Sequence, residues 1–255
     1  MLTRLISRFR RPAPASFTAA LAPDAPLAVI GDVHGCDSLL AGLLARLAEE
    51  APDHRIVLAG DLVDRGEQSA EVLRRARTLD AEVLMGNHEA MMLAFLEHPR
   101  SEGPRWLANG GLQTLASFGI GGLGLAPAPE ALREAAAALR EAMGPELLDW
   151  LAARPMLFRS GNVAVIHAGG EPGLPIDEQP ERASLWGSPS FLQETRADGI
   201  WVVRGHVIVP EPQAAEGRIS IDTGAFATGC LSAALIGAGG LHFLQHRADK
   251  TALIG

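Results

Sequence analysis

The spacing of apolar residues changes along the chain, and each change marks an element. Leu27-Ala28-Val29-Ile30 is a continuous apolar run ending at Gly31, the pattern of a buried strand. From Asp37 to Glu50, Leu39, Leu40, Leu43, Leu44 and Leu47 recur at helical spacing. Arg55 to Ala59 predicts a second strand ending at Gly60, and Glu67 to Leu79 a second helix. Glu82 to Met85 predicts a third strand ending at Gly86, followed by a helix over His88 to Leu96. Strands alternating with helices imply a parallel sheet covered on both faces.

The middle of the chain follows another pattern. Arg105 to Ala153 is helix-like and rich in Ala and Leu, broken at Gly119 to Gly124 and at Pro127 and Pro129. Ala131 to Met143 reads as a helix, and Pro145 opens another at a favoured first-turn position. Residues 99–153 are therefore expected to form a helical cap insert. Strands return over Val163 to Ile166, Ile200 to Val203, Arg218 to Ile221, Leu231 to Ile236 and Leu241 to Gln245. The last two are joined by Gly237-Ala238-Gly239-Gly240, a hairpin-like connection.

Composition narrows the class. A chain of 255 residues holds one sizeable core, or one core and a small cap. Hydrophobic content of 47% with 20% charged residues is that of a soluble globular protein. The net charge of -8 gives no overall basic footprint for nucleic acid. Cys36 and Cys230 stand in unrelated contexts, which suits a reducing cytoplasm. Residues 1–26 are expected to be a flexible basic arm, with 27–255 as a single domain. Arg8, Arg10 and Arg11 fall where the apolar stretch of a secretory signal would begin. No apolar run reaches the roughly 18 residues of a spanning helix, so stable membrane insertion is not expected.

The chemistry sits at strand ends. Gly31-Asp32-Val33-His34-Gly35, Gly60-Asp61-Leu62-Val63-Asp64-Arg65-Gly66 and Gly86-Asn87-His88-Glu89 each follow a predicted strand. His167 and His206 end two later apolar runs. Strand ends of an open parallel sheet gather on one edge, so these segments are expected to converge. Asp32, His34, Asp61, Asn87, His167 and His206 offer mixed oxygen and nitrogen donors, which suit manganese, iron or zinc better than magnesium. Six donors are too many for one open tetrahedral site and fit two metals sharing a carboxylate.

The motifs GDVHG, GDLVDRG, GNHE, HAG and a later GH resemble those of the calcineurin-like metallophosphoesterases, and within them the bacterial branch of the phosphoprotein (serine/threonine) phosphatase family. The resemblance spans roughly residues 27–237 and includes Asn109-Gly110-Gly111, Thr114-Leu115 and Phe118-Gly119. It implies an α/β (α+β) fold: a layered β-sheet sandwich flanked by helices, with the helical cap. It implies that Asp32 and His34 bind one divalent ion, most often Mn2+ with Fe or Zn as alternatives. Asp61 bridges, and Asn87, His167 and His206 complete a second site. It also implies in-line attack by a metal-bridging hydroxide, with His88 as general acid, Asp64 holding it, and Arg65 on phosphate oxygens. The implied activity is hydrolysis of phosphate monoesters on a protein or small molecule.

Three stretches depart from that branch. Glu171 stands where an arginine is common after HAG, Leu185-Trp186-Gly187-Ser188-Pro189 lacks the arginine of a Trp-Ile-Arg stretch, and His206 is followed by Val207-Ile208. The hydrolytic centre looks intact and the substrate cradle altered. Arg204 is a candidate replacement charge, with Arg182 and Arg196 behind it, and Trp186 a candidate groove wall. Two rivals stand beside the phosphatase reading. One is a nucleotide hydrolase resembling symmetrical diadenosine tetraphosphatases, against which Asp64 and Glu89 count. The other is an inactive scaffold that binds a partner.

Overall fold

The computed structural model describes residues 17–248. In chain order it runs β1 (Leu27–Ile30), α1 (Asp37–Glu50), β2 (Arg55–Leu58), α2 (Ser69–Thr78), β3 (Ala81–Val83) and α3 (Asn87–Glu97). Then come α4 (Pro99–Trp106), a π-type turn over Leu107–Gly111, α5 (Leu112–Ser117), α6 (Pro129–Met143) and α7 (Pro145–Ala152). The chain returns through β4 (Phe158–Ser160), β5 (Val163–Val165), α8 (Glu181–Trp186), β6 (Trp201–Arg204), β7 (Gln213–Ala215) and β8 (Arg218–Ser220). It closes with α9 (Ala225–Thr228), β9 (Cys230–Gly237) and β10 (Gly240–Arg247).

These strands form two five-stranded sheets, ordered β10-β9-β1-β2-β3 and β4-β5-β6-β8-β7. In the first, β1 to β3 are parallel and β9 and β10 antiparallel. In the second, β5, β6 and β8 are parallel, with β4 and β7 as antiparallel edges. The parallel strands β1 to β3 are covered on both faces as expected, and the second cover is another sheet, as the layered sandwich requires. Alternate side chains of a strand point to opposite faces. Ala28, Ile30 and Leu58 pack into the cluster that holds α1, α2, α3 and the insert. Leu27, Val29 and Val57 meet Val163, Val165, Val203, Ile219 and Ile221 of the second sheet. A continuous apolar run thus buries both faces, but one face meets a sheet. The architecture is an α/β sandwich of two sheets flanked by helices.

The insert is helical from α4 to α7. Trp106 stacks on Phe95 of α3 with ring centroids 4.6 Å apart, which ties α4 to the first sheet's helix layer. The expected arm divides in two. Residues 1–16 lie outside the described residues. Residues 17–26 are attached to the second sheet: Phe17 packs edge-on against Trp201 at 5.0 Å, and Trp201 Nε1 donates to the Ala19 carbonyl at 2.9 Å. The Ala22 N–H donates to Asn162 Oδ1 at 2.7 Å. Among the described residues no helix is long and apolar enough to cross a membrane.

Candidate metal centre

The three motif segments of the first half follow β1, β2 and β3, and His167 and His206 follow β5 and β6. Both sheets therefore deliver side chains to one place, the seam where their parallel strands end. The backbone there is unusual. Six non-glycine residues among those described have positive φ, and five of them are His34, Asp61, Asp64, Arg65 and His206. Such conformations cost on the order of 1–3 kcal/mol each and persist where surroundings enforce them, often at functional sites.

Asp61 is the hub. Its Oδ2 lies 3.4 Å from His167 Nε2, 3.6 Å from His34 Nε2 and 4.0 Å from His88 Nε2. The remote ring nitrogens are committed elsewhere. His34 Nδ1 donates to the Val63 carbonyl at 2.8 Å, and His167 Nδ1 to the Ala59 carbonyl at 3.0 Å. His34 therefore presents a bare Nε2 to the centre, and His167 points its Nε2 at Asp61 and Asn87. Asn87, first residue of α3, places Oδ1 2.9 Å from both His167 Nε2 and His206 Nδ1. Among the described residues two donor groups emerge, His34–Asp61–His88 and Asp61–His167–His206, each with ligand atoms mutually within 4.8 Å.

Beside the hub stands a second constellation. His88 Nδ1 donates to Asp64 Oδ2 at 2.7 Å. Asp64 is fully buried and also accepts from Trp106 Nε1 and from Thr114 Oγ1. The Arg65 guanidinium reaches His34 Nε2 and His88 Nε2, each at 3.1 Å, and lies 4.8 Å over the Phe226 ring.

A family model for calcineurin-like phosphoesterases matches residues 25–210, most of the chain. The chain belongs to that family. A symmetrical bis(5'-nucleosyl)-tetraphosphatase of Paracidovorax citrulli is 35% identical over 177 residues, 64% of this chain and 54% of that protein. Serine/threonine-protein phosphatase 2 of Salmonella typhimurium is 41% identical over 83 residues, 32% of this chain and 37% of that protein. This calcineurin-like phosphoesterase thus spans about half, or less, of those relatives. The same fold occurs in a crystal structure provisionally named a diadenosine tetraphosphatase, with TM-score 0.63 and 22% identity over 91% of this chain and all of that one.

The family implies divalent metals, and this chain's donor set fits them. Asp32 Oδ1 is buried and has no hydrogen-bond partner among the described residues. An orphaned carboxylate oxygen at such a place is what a cation would satisfy. Gly205 makes the room, since a Cβ there would overlap Asp32 Oδ1. Burial pushes the Asp32 carboxyl well up, and Asp222 adds to that. Burial also acts upward on Asp61, but the histidines around it, His167 first, hold it well below the usual carboxylate range. Burial pushes His34 down to about 3 and His206 to about 4, leaving both neutral as ligands must be. For His167 burial is outweighed by Asp61, and its pKa rises to about 10.

Of the residues singled out in the sequence, Asp32, His34, Asp61, Asp64, Arg65, Asn87, His88, His167 and His206 gather at the seam. Arg204 stands beside them in the chain with its guanidinium turned to Ser220 and Phe191. Its Nε donates to Ser220 Oγ at 3.2 Å, its guanidinium lies 4.9 Å over Phe191, and the residue is 5% exposed. Strand alternation explains this: Val203 points between the sheets, while Val202 and Arg204 point to the outer face. Arg196 is bound to Asp198 and to the Glu171 and Leu174 carbonyls. Glu171 accepts from Ser190 Oγ at 2.7 Å.

Sequence reasoning passed over several contributors. Glu89 is fully buried and accepts from the N–H groups of Asp61, Leu62, Val63 and Gly86 at 2.7–3.1 Å, fixing the loop that carries Asp61. Trp106, in the cap insert, donates to Asp64. Gly110 has φ 108 and lets the chain approach Arg65, whose N–H donates to its carbonyl; a Cβ would sit 2.6 Å from that nitrogen. The motif match across 109–115 was the available signal for Gly110 and Thr114.

Proposed function

We propose that this chain is a dinuclear-metal phosphohydrolase whose substrate is a nucleotide carrying a chain of phosphates, as in a dinucleoside tetraphosphate. The hydrolytic part is carried by one observation: the Asp61 carboxylate stands within 4.0 Å of three histidine Nε2 atoms beside an orphaned Asp32 oxygen. Asp32, His34 and Asp61 would hold one ion, and Asp61, Asn87, His167 and His206 the other, with manganese as the proposed metal and iron or zinc as alternatives. Two such cations, when bound, supply a nucleophile at neutral pH and neutralise phosphoryl charge. Arg65 offers its fork to phosphoryl oxygens, and the Asn87 amide also faces them. His88 carries a proton toward the leaving oxygen at Nε2, and Asp64 fixes its tautomer through Nδ1. The substrate class is supported by the relatives, among which symmetrical bis(5'-nucleosyl)-tetraphosphatases recur, including those of Paracidovorax citrulli and Neisseria meningitidis.

A second reading is hydrolysis of phosphate monoesters, including phosphoserine and phosphothreonine in proteins. The His88–Asp64 pair favours it, because an alkoxide is a poor leaving group that needs a proton. The Salmonella relative's name points the same way. Parallel assays on diadenosine tetraphosphate, p-nitrophenyl phosphate and a phosphoserine peptide, each with manganese and with chelator, separate the readings. Chelator-sensitive cleavage of the dinucleotide is expected. Cleavage of the peptide and not the dinucleotide would replace the first reading by the second. No cleavage of any of the three in manganese would leave the partner-binding scaffold.

A further inference from the structure

Helix α4 turns two neighbouring side chains in different directions. Trp106 reaches inward to Asp64, while Arg105 reaches outward and lies 4.5 Å over the ring of Trp186 at the end of α8. Trp186 in turn stands edge-on to His206, with ring centroids 6.3 Å apart at 89°. Arg105, Glu181, Arg182, Leu185 and Trp186 line an open cleft of about 670 Å³. Arg105, Arg182 and Trp186 are exposed, and among the described residues no carboxylate forms an ion pair with either arginine.

We propose that this cleft is a subsite for the part of the substrate beyond the phosphate being cleaved. Arg105 and Arg182 take a further phosphoryl group, and the indole of Trp186 takes a planar base. Arginine forks match phosphate oxygens two at a time, and an exposed indole that Arg105 covers offers stacking once that arginine turns to a phosphate. A nucleotide with two or more phosphates is anionic and planar at once and uses all three side chains. An acidic peptide would engage the arginines and leave Trp186 without a planar partner. The position suits the role: Trp186 lines the cleft and stands edge-on to His206, so the cleft adjoins the metal donors. The assignment deepens the nucleotide reading and rests on it.

The test uses the intact, manganese-loaded chain with ADP and inorganic phosphate as probes. Both are measured as competitive inhibitors of p-nitrophenyl phosphate hydrolysis, and ADP binding is followed separately by quenching of tryptophan fluorescence. ADP is expected to bind more tightly than phosphate, and Trp186→Phe is expected to remove most of the quench. In Arg182→Ala and Arg105→Ala the ratio of phosphate to ADP inhibition constants should fall about tenfold, the effect of one lost charge-assisted contact. An unchanged ratio in both variants overturns the subsite, even if diadenosine tetraphosphate is hydrolysed. If the dinucleotide is not hydrolysed but the ratio still falls, the subsite stands and the substrate reading fails. A ratio that holds while the KM for an acidic phosphopeptide rises assigns the cleft to peptide and also overturns the proposal.

Discussion

His88 Nδ1 lies 2.7 Å from Asp64 Oδ2, and neither group has freedom to move. Asp64 is pinned by Trp106 Nε1 on both oxygens and by Thr114 Oγ1 on one. Burial pushes the Asp64 carboxyl up, but those donors keep its oxygens pointed at His88. For His88 the downward pull of burial is outweighed by Asp64 and Asp61, so its pKa is raised. A histidine held this way presents Nε2 in a fixed direction, here toward the Arg65 guanidinium, and its raised pKa favours taking a proton there when that fork turns to a phosphate.

The role shows itself through the leaving group. His88→Ala should reduce turnover of an alkyl phosphate by about 10²–10⁴-fold, the usual scale for a general acid. p-Nitrophenol leaves readily as the anion, so its phosphate should lose far less. Steady-state rates on the two substrates measure the difference, and equal losses on both would remove the general-acid role.

Trp106 is stacked on Phe95 and bonded to Asp64, two functions that one substitution separates. Trp106→Phe keeps a ring in the stack and deletes the N–H. The lost buried hydrogen bond should cost about 1–3 kcal/mol of stability. The larger effect should be on the alkyl phosphate rate, because Asp64 loses a donor that fixes its orientation. Urea unfolding and the same pair of substrates check it. A stability loss with no change in the rate ratio would make Trp106 a packing residue only.

Gly205 lies against the orphaned oxygen of Asp32, and a Cβ there would overlap it. Gly205→Ala should therefore displace the Asp32 carboxylate and lower manganese content after dialysis. Metal analysis reads this directly, with thermal unfolding as a control for misfolding. Gly119, where nothing lies within 4 Å of an added Cβ, is the matched comparison, although its φ of 80 makes Gly119→Ala strained too. Full metal content in Gly205→Ala would show that Asp32 is not a ligand.

Much of the site was legible because its residues sit at strand ends, where an apolar run stops at a glycine and a polar motif begins. Long helices were legible from their stripes; α1 and α6 run close to where the leucines and alanines place them. What the pattern could not give was pairing between distant segments. β4, β7, α8 and α9 are 3–6 residues long, too short to show a period. Nor could a strand show which of its faces meets the second sheet, since a face that meets a sheet and one that meets a helix read as the same apolar run. The face that Arg204 serves was hidden for a related reason: one residue of strand alternation decides it, and that register was not visible in the sequence.

Asp198 ties down Arg196, which in turn holds the carbonyls of Glu171 and Leu174 in the loop after His167. Burial raises the Asp198 carboxyl, but Arg196 and the Ile200 N–H outweigh it and hold the pKa below its ordinary value. A depressed carboxylate adds stability above its unfolded pKa and loses it as pH falls through the folded value. Asp198→Asn should thus cost on the order of 1 kcal/mol at neutral pH, a charged-bond value discounted because the side chain is 40% exposed. The cost should shrink toward about pH 3.5, below the ordinary carboxylate pKa. Denaturant unfolding of both proteins at the two pH values decides it, and a cost independent of pH would remove the charge from the explanation.

Glu89 gives the sharpest stability prediction. Both its oxygens are filled by backbone donors, Oε1 by Leu62 and Val63 and Oε2 by Asp61 and Gly86. Burial and Asp61 push this carboxyl up to about 7, while the N–H groups pull it down. Glu89→Gln keeps the shape and replaces one oxygen by an NH2. Whichever way the amide turns, two N–H groups then face a donor and lose their acceptor. Each buried unsatisfied donor costs about 1–3 kcal/mol, so the variant should lose roughly 2–6 kcal/mol. The same four bonds hold the loop carrying Asp61, so metal content should fall with stability. Urea unfolding and metal analysis of one preparation test both, and a variant as stable as the parent would mean that the loop is held by something other than Glu89.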